Sequence, residues 1–329
     1  MSRVQMVFTG GTISTLPDAA AGGNTPVLNG AQILARSPGI ARVAEVEPID
    51  WGLVPASHLR FAQMIDIAHV VDAALARPEI AGAVVIQGTD TIEETSFAYE
   101  LLVRSDKPLI VTGAMRDGSS VEFDGPRNLA DAAVCALSPE LSGAGVQVVL
   151  NGLVVAARDV VKSHSTALDT FQPRGGAATG RVIDGQLVLD GTPVRRVRLP
   201  LVPEDPVEDV HLVTAVAGMD GTLLRALRAS RPAGVVVAAT GSGNTAADLL
   251  AAAQELMGEG TIVAQTTRCP HGTVAPIYAF PGGGAMWQRA GALPSVFDGP
   301  KTRVALALGL AAGLDRAALA RLLAGQTPD

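Results

Sequence analysis

Four short segments are unusually polar or glycine-rich. They are Thr9-Gly10-Gly11-Thr12, Gln87-Gly88-Thr89-Asp90-Thr91, Gly113-Ala114-Met115-Arg116 and Thr240-Gly241-Ser242-Gly243-Asn244. Hydroxyls beside a carboxylate are the raw material for a nucleophile and its partners. Glycine lets backbone N–H groups approach a substrate closely. Each loop alone also reads as an ordinary strand-to-helix turn with Thr or Asp as a cap. Two threonine-bearing loops on one sheet weaken that plainer reading. The basic residues add a selective signal. Of 25 lysines and arginines, only Lys107, Lys162 and Lys301 are lysines. An amine that must shuttle a proton cannot be exchanged for arginine, whose guanidinium stays charged.

Other chemistries find weaker support. Gly241-Ser242-Gly243-Asn244-Thr245-Ala246 fits G-x-G-x-x-A, yet the strand that follows ends Ala264-Gln265-Thr266, without the acid a dinucleotide ribose needs. No G-x-x-x-x-G-K-[ST] and no G-x-S-x-G occurs. The five histidines (His58, His69, His164, His211, His271) lack metal-ligand spacing, and Cys269-Pro270-His271 has no further ligands beside it. Ser163-His164-Ser165 follows Lys162, but neighbours on an extended segment point to opposite faces, so adjacency makes no dyad.

The elements that must position these loops follow a βαβ rhythm. Val4–Phe8, Ala83–Ile86, Leu109–Thr112 and Val146–Leu150 read as strands, and Ala62–Ala76, Glu93–Val103 and Pro126–Ala136 as helices. Continuous apolar runs imply strands buried on both faces of a parallel sheet. Ligands then bind at the carboxyl ends of the strands, where the four loops lie. Proline, glycine, arginine and acids crowd the stretch around Gly191–Val210, which reads as a linker. Strands at Leu212–Ala215, Gly234–Ala239 and Thr261–Gln265 resume the rhythm, with helices at Gly221–Ala229, Ala246–Met257 and from Lys301 to Ala312. The expected fold class is α/β in two domains. A larger N-terminal domain, residues 1–190, has a mostly parallel sheet with helices on both faces. A linker, 191–211, leads to a smaller α/β domain, 212–329.

Composition bounds the class. Of 329 residues, 48% are hydrophobic and only 3% aromatic, so a large core is built from aliphatic side chains. A net charge of −7 with no basic stripe argues against nucleic acid. Mean hydropathy is +0.31, but no apolar run approaches the roughly 18 residues of a membrane span. Two distant cysteines, Cys135 and Cys269, exclude a disulfide framework. The first strand begins at Val4, leaving no room for a signal peptide, so a cytoplasmic location is expected.

In this order the loops resemble the bacterial-type L-asparaginase family of amidohydrolases. The resemblance rests on Thr9-Gly10-Gly11-Thr12-Ile13, Gln87-Gly88-Thr89-Asp90-Thr91 with Glu93-Glu94-Thr95, Lys107-Pro108, Gly113-Ala114-Met115-Arg116 and Asp124-Gly125-Pro126-Arg127-Asn128-Leu129. It continues through Arg158-Asp159-Val160-Val161-Lys162, Gly241-Ser242-Gly243-Asn244 and Lys301-Thr302-Arg303. It implies hydrolysis of L-asparagine to aspartate and ammonia through an acyl-threonine intermediate. By resemblance Thr12 is the nucleophile, Thr89 the second threonine, and Asp90 with Lys162 completes a hydrogen-bonded group. Asp90 also receives the substrate α-amino group. Backbone N–H groups around Thr89 and Ala114 are the candidates to stabilise the oxyanion. Ser57 and His58 match the pair that grips the α-carboxylate, with His58 in place of the family's Gln. Asn244 matches a residue that crosses from a neighbouring chain. The resemblance therefore implies a homodimer or homotetramer with the active site at the subunit interface, a small amide as substrate, and no metal or organic cofactor. The family's Tyr on the mobile N-terminal loop has no match in Gly22-Gly23-Asn24-Thr25-Pro26, and its neighbour-donated Glu falls near Ala279 and Phe280. These departures motivate two alternatives: an amidase of the same fold acting on a different small amide, or a non-catalytic small-molecule binding protein.

Overall fold

Aliphatic runs alternate with amphipathic helices along the chain, and the computed structural model, which describes residues 3–193 and 196–328, folds them into two units, Met1–Arg196 and Val197–Asp329. In the first unit the strands are β1 (Arg3–Phe8), β2 (Thr15–Asp18), β3 (Gly23–Pro26), β4 (Glu45–Asp50), β5 (Ile80–Ile86), β6 (Leu109–Thr112), β7 (Val146–Leu150), β8 (Leu153–Ala156), β9 (Val160–Lys162), β10 (Phe171–Pro173), β11 (Gly180–Ile183) and β12 (Gln186–Leu189). Its helices are α1 (Gly30–Ala35), α2 (Phe61–Leu75), α3 (Ile92–Leu102) and α4 (Gly125–Ala136). The main sheet has eight strands in the order β12-β11-β8-β7-β6-β5-β1-β4. Pairing is parallel from β4 to β7 and antiparallel from β7 outward. Helices cover both faces. Val4, Met6 and Phe8 of β1 pack with Val84, Ile86 and Ile110 against Ile33 of α1 and Leu129, Ala132 and Ala133 of α4. The alternate residues face α2 and α3, which pack on each other and on the same strands. Two hairpins, β2–β3 and β9–β10, stand outside the main sheet.

The second unit repeats the logic on a smaller scale. Strands β13 (Val210–Thr214), β14 (Gly234–Ala239), β15 (Ile262–Thr267) and β16 (Leu293–Pro294) pair in parallel in sequence order. Helices α5 (Thr222–Leu227), α6 (Ala247–Gly258) and α7 (Gly284–Ala290) bury Leu224, Leu249, Leu256 and Trp287 against Val213, Val235, Val237 and Val263. On the opposite face α8 (Gly299–Ala311) packs against β13, β14 and β15, and α9 (Arg316–Leu323) packs on α8. Asp298 and Asp315 start α8 and α9 by accepting from Lys301 N and Ala318 N at 2.9 and 2.8 Å.

The stretch expected as a linker holds no helix or strand from 191 to 209 among the described residues; residues 194 and 195 lie outside them. Arg196 is anchored in the first unit, where its guanidinium donates to Ser105 O, Glu100 O and Val103 O at 2.7, 2.7 and 2.9 Å at the end of α3. Val197 and Leu199 are buried in the second.

Candidate active site

Three loops leave adjacent strands side by side, because β6, β5 and β1 are neighbours in the sheet. They follow β1 (Thr9–Thr12), β5 (Gln87–Asp90) and β6 (Gly113–Arg116). Backbone bonds stitch them together: Thr9 N–H donates to Ile86 O at 2.9 Å and Gln87 N–H to Thr112 O at 3.0 Å. Glycine is required at the closest approaches. Gly11 has φ 92°, and a Cβ there would fall 2.1 Å from Gly88 N. A Cβ on Gly113 would fall 2.5 Å from Gln87 O. The segment after β4 joins the same edge: Val54 N–H donates to Thr9 O at 2.8 Å, and the Thr91 hydroxyl donates to Ala56 O at 3.0 Å.

Lys162 arrives from β9. Its backbone N–H donates to Glu93 Oε2 at 2.8 Å, which ties the strand to the start of α3. Its Nζ lies 3.0 Å from Thr89 Oγ1 and 2.8 Å from Asp90 Oδ1. Thr89 is buried, while the Asp90 side chain is 70% exposed. An exposed ion pair adds little stability, so the contact is better read as orienting than as structural. An ammonium has only donors, so the Thr89 oxygen accepts from Lys162 and its own hydrogen points elsewhere. Thr12 opens a 3-10 turn, Thr12–Ser14, and is half-buried. The turn is fixed by Ser14 Oγ donating to Gly11 O at 2.7 Å and Thr15 Oγ1 donating to Thr12 O at 2.8 Å. The Thr12 hydroxyl itself has no hydrogen-bond partner among the described residues.

The remaining candidates divide by location. Ser57 and His58 are both exposed on the 3-10 turn Ala56–His58, one residue from the Thr91 contact. Ala114 is fully buried in the loop after β6. Asn244 belongs to the second unit, where its carbonyl accepts from Thr240 N and Oγ1, and its Oδ1 accepts from Gly284 N at 3.2 Å. The other lysines are structural. Lys107 Nζ donates to Arg77 O and Ile80 O, both at 2.7 Å, and fully buried Lys301 Nζ lies 2.8 Å from Asp298 Oδ2. Ser163 Oγ donates to Thr170 O, and His164 Nδ1 accepts from Thr166 N and Ala167 N at 3.0 Å, so no Ser–His bond forms. No group of three or more potential metal ligands occurs among the described residues.

Sequence reasoning left two supports unassigned. Beneath Thr89, buried Gln87 donates from Nε2 to Thr95 Oγ1 at 2.7 Å, and Thr95 donates to Thr91 O at 3.0 Å. Burial of Tyr99, whose hydroxyl reaches Gln87 Oε1 at 3.5 Å, pushes its phenol well above the usual range. The signal was Thr91, Thr95 and Tyr99 at four-residue spacing, which places the N-cap and two residues of α3 on one face. Behind Ala114, the Asp124 carboxylate accepts from Met115 N at 3.0 Å and Arg116 N at 2.9 Å. Asn128, one turn on, donates from Nδ2 to Gly113 O at 3.0 Å and Asp124 Oδ2 at 2.9 Å, and its Oδ1 accepts from Asn151 N at 3.0 Å.

Comparison with known proteins decides what scaffold this is. Residues 3–195 match the family model of the asparaginase N-terminal domain, and residues 209–323 that of the glutaminase/asparaginase C-terminal domain. The chain belongs to the L-asparaginase family. A probable L-asparaginase of Deinococcus radiodurans is 34% identical over 98% of this chain and 97% of its own length. An L-asparaginase of Bacillus licheniformis is 26% identical over 94% and 95%. The crystal structure of a probable cytoplasmic L-asparaginase from Campylobacter jejuni superposes with a TM-score of 0.83 at 25% identity, covering 94% of this chain and 95% of the other. The expected α/β class holds in both units, with a mostly parallel first sheet and an all-parallel second. Among the described residues no helix is long and apolar enough to cross a membrane.

Proposed function

We propose that this asparaginase-family enzyme hydrolyses L-asparagine to L-aspartate and ammonia through a β-aspartyl ester on Thr12. The observation that carries the reading is the ammonium of Lys162 bonded at once to Thr89 Oγ1 and Asp90 Oδ1, on a loop whose Gly88 backbone closely approaches Gly11, next in sequence to Thr12 with its unpaired hydroxyl. Thr12 Oγ1 attacks the side-chain amide carbon. Its proton passes through the Thr89–Lys162–Asp90 group to the departing nitrogen, which leaves as ammonia. Water then attacks the ester carbon and gives up a proton that restores the Thr12 hydroxyl as aspartate departs. Backbone N–H groups around Thr89 and Ala114 stabilise the oxyanion in both steps; such donors are worth about 10²–10³ in rate each. The exposed carboxylate of Asp90 meets the substrate ammonium, and Ser57 with His58 meets the α-carboxylate. Neither metal nor organic cofactor enters this scheme. The active form is a homodimer or homotetramer in which Asn244 reaches the site of a neighbouring chain, and its location is cytoplasmic, as the name of the Campylobacter relative states for that protein.

The test is ammonia release by the purified protein from asparagine, glutamine and small amides without an amino-acid head group. Asparagine turnover lost in Thr12→Ala supports the reading. Faster turnover of a non-amino-acid amide overturns the substrate assignment and leaves an amidase of the same fold.

A further inference from the structure

Ala114 is fully buried, and neither its N–H nor its C=O has a partner among the described residues. Buried orphan amides are rare in folded proteins, because the water each one loses is not replaced by a partner. Both peptide groups that flank Ala114 are nonetheless held. The Gly113 carbonyl accepts from Asn128 Nδ2 at 3.0 Å, and the Met115 N–H donates to both Asp124 oxygens at 3.1 and 3.0 Å. A trans peptide is planar, and its C=O and N–H point in opposite directions. Fixing Gly113 O on Asn128 therefore turns Ala114 N–H away from α4. Fixing Met115 N–H on Asp124 likewise turns Ala114 C=O away from that carboxylate. The Asn128 amide orientation is itself determined: both Nδ2 hydrogens meet acceptors, Gly113 O and Asp124 Oδ2, and Oδ1 meets the Asn151 N–H. Asn128 is 1% exposed, so no solvent loosens the arrangement.

We propose that Asn128, locked by Asp124, is a positioning residue that aims and polarises the Ala114 peptide as the donor–acceptor pair reading a primary amide. The N–H serves the substrate carbonyl oxygen and its developing charge. The C=O serves the amide NH2 and opposes a carboxylate in the same place. A bond from Asn128 to Gly113 O draws density from that peptide and strengthens the N–H as a donor. This inference rests on the amide-hydrolase reading of the site.

The experiment compares the wild type with Asn128→Asp and Asn128→Ala. Asn128→Asp keeps the volume and the acceptor for Asn151 but puts a carboxyl oxygen against Gly113 O. Asn128→Ala removes donor and acceptor together, and thermal melts identify the folded samples. Three quantities are read: kcat and KM for asparagine, Kd of aspartate, and Kd of the β-aldehyde of aspartate, whose adduct with Thr12 carries an oxyanion. The expected result is a kcat about 10- to 100-fold lower with KM within about threefold. Aldehyde affinity should fall by a similar factor in both variants, while aspartate affinity does not weaken. Folded variants with wild-type kcat and aldehyde affinity overturn the proposal alone. Equal weakening of aspartate and aldehyde also overturns it, by showing a general loss of site structure. A wild type that releases no ammonia from asparagine overturns the function reading, and this inference with it.

Discussion

Removing the Lys162 amine tests the central group most directly. Lys162→Met keeps the stem, whose side chain is only 14% exposed, and deletes the donor to Thr89 Oγ1 at 3.0 Å and Asp90 Oδ1 at 2.8 Å. A hydrogen bond to a charged group contributes about 1.5–3 kcal/mol. The Asp90 contact is discounted because that carboxylate is 70% exposed, so screening leaves it below about 1 kcal/mol. The buried Thr89 contact carries most of the effect. Together they give about 2–4 kcal/mol of transition-state stabilisation, or roughly 30- to 1000-fold in kcat/KM. The melting temperature should move little, since an exposed pair adds little to stability. Lys162→Arg should be nearly as damaging. A planar guanidinium on a longer stem cannot put one hydrogen on each oxygen where a compact ammonium stood, and it never gives up its proton. The assay is coupled ammonia release from asparagine, with a thermal melt on each variant. An Arg variant within threefold of wild type would show that any positive charge suffices, and would reduce Lys162 to a salt-bridge residue.

Three further expectations can be checked on the same protein. Thr12→Ala removes an unpaired hydroxyl and should leave less than a tenth of the turnover with an unchanged melt; more residual activity rules Thr12 out as nucleophile. His58→Ala removes an exposed ring from the proposed α-carboxylate grip and should weaken aspartate binding several-fold with an unchanged melt; an unaltered aspartate Kd would remove His58 from the head-group site. Burial holds the Asp131 carboxyl above its ordinary value, against the opposing charge of Arg127, so the ionised form opposes folding. Stability should then fall as pH rises from the usual aspartate range, near about 4, through the raised value. Asp131→Asn should melt higher than wild type at pH 7 and equal to it below pH 4; an advantage independent of pH would contradict burial of the charge as the cause.

The parallel strands β5, β6 and β14 were legible because strands buried on both faces read as apolar runs, and β1 and β7 because a single glutamine interrupts theirs; α2 was legible from its apolar spacing and the Pro78 beyond its end, and α4 from the Pro126 at its start. Edge elements were not. β4 reads Glu-Val-Glu-Pro-Ile-Asp, a sequence whose acids and proline suit an edge facing water and give no apolar run. β9 and β10, three residues each, are too short for any period to show, yet β9 carries Lys162 to the site. Lys162 was still legible through residue type, because two of the three lysines meet backbone oxygens or an N-cap carboxylate and the third meets the hydroxyl. Asn128 stands in the sequence only as one member of the motif at 124–129. Its task, a contact with Gly113 fifteen positions earlier, is a through-space relation that no local spacing encodes.

The pattern of paired and unpaired groups around the strand ends supports a mechanistic division of labour. Gly11, Ser14, Thr91, Asp124 and Asn128 bind backbone or one another and fix the loops before any substrate arrives. The Thr12 hydroxyl and the Ala114 peptide are left without partners, although pairing them would stabilise the fold. Electrostatic catalysis needs donors that require no reorganisation at the moment of reaction, and nucleophilic catalysis needs a hydroxyl not already committed. On the proposed reading both needs are met by loops whose backbone is held in place while the hydroxyl and the peptide assigned to the amide stay unpaired. It follows that Asn128→Asp and Thr12→Ala act on a single event, the making of the tetrahedral adduct. Their losses should therefore fall short of additive in the double variant, whereas two independent structural defects would multiply.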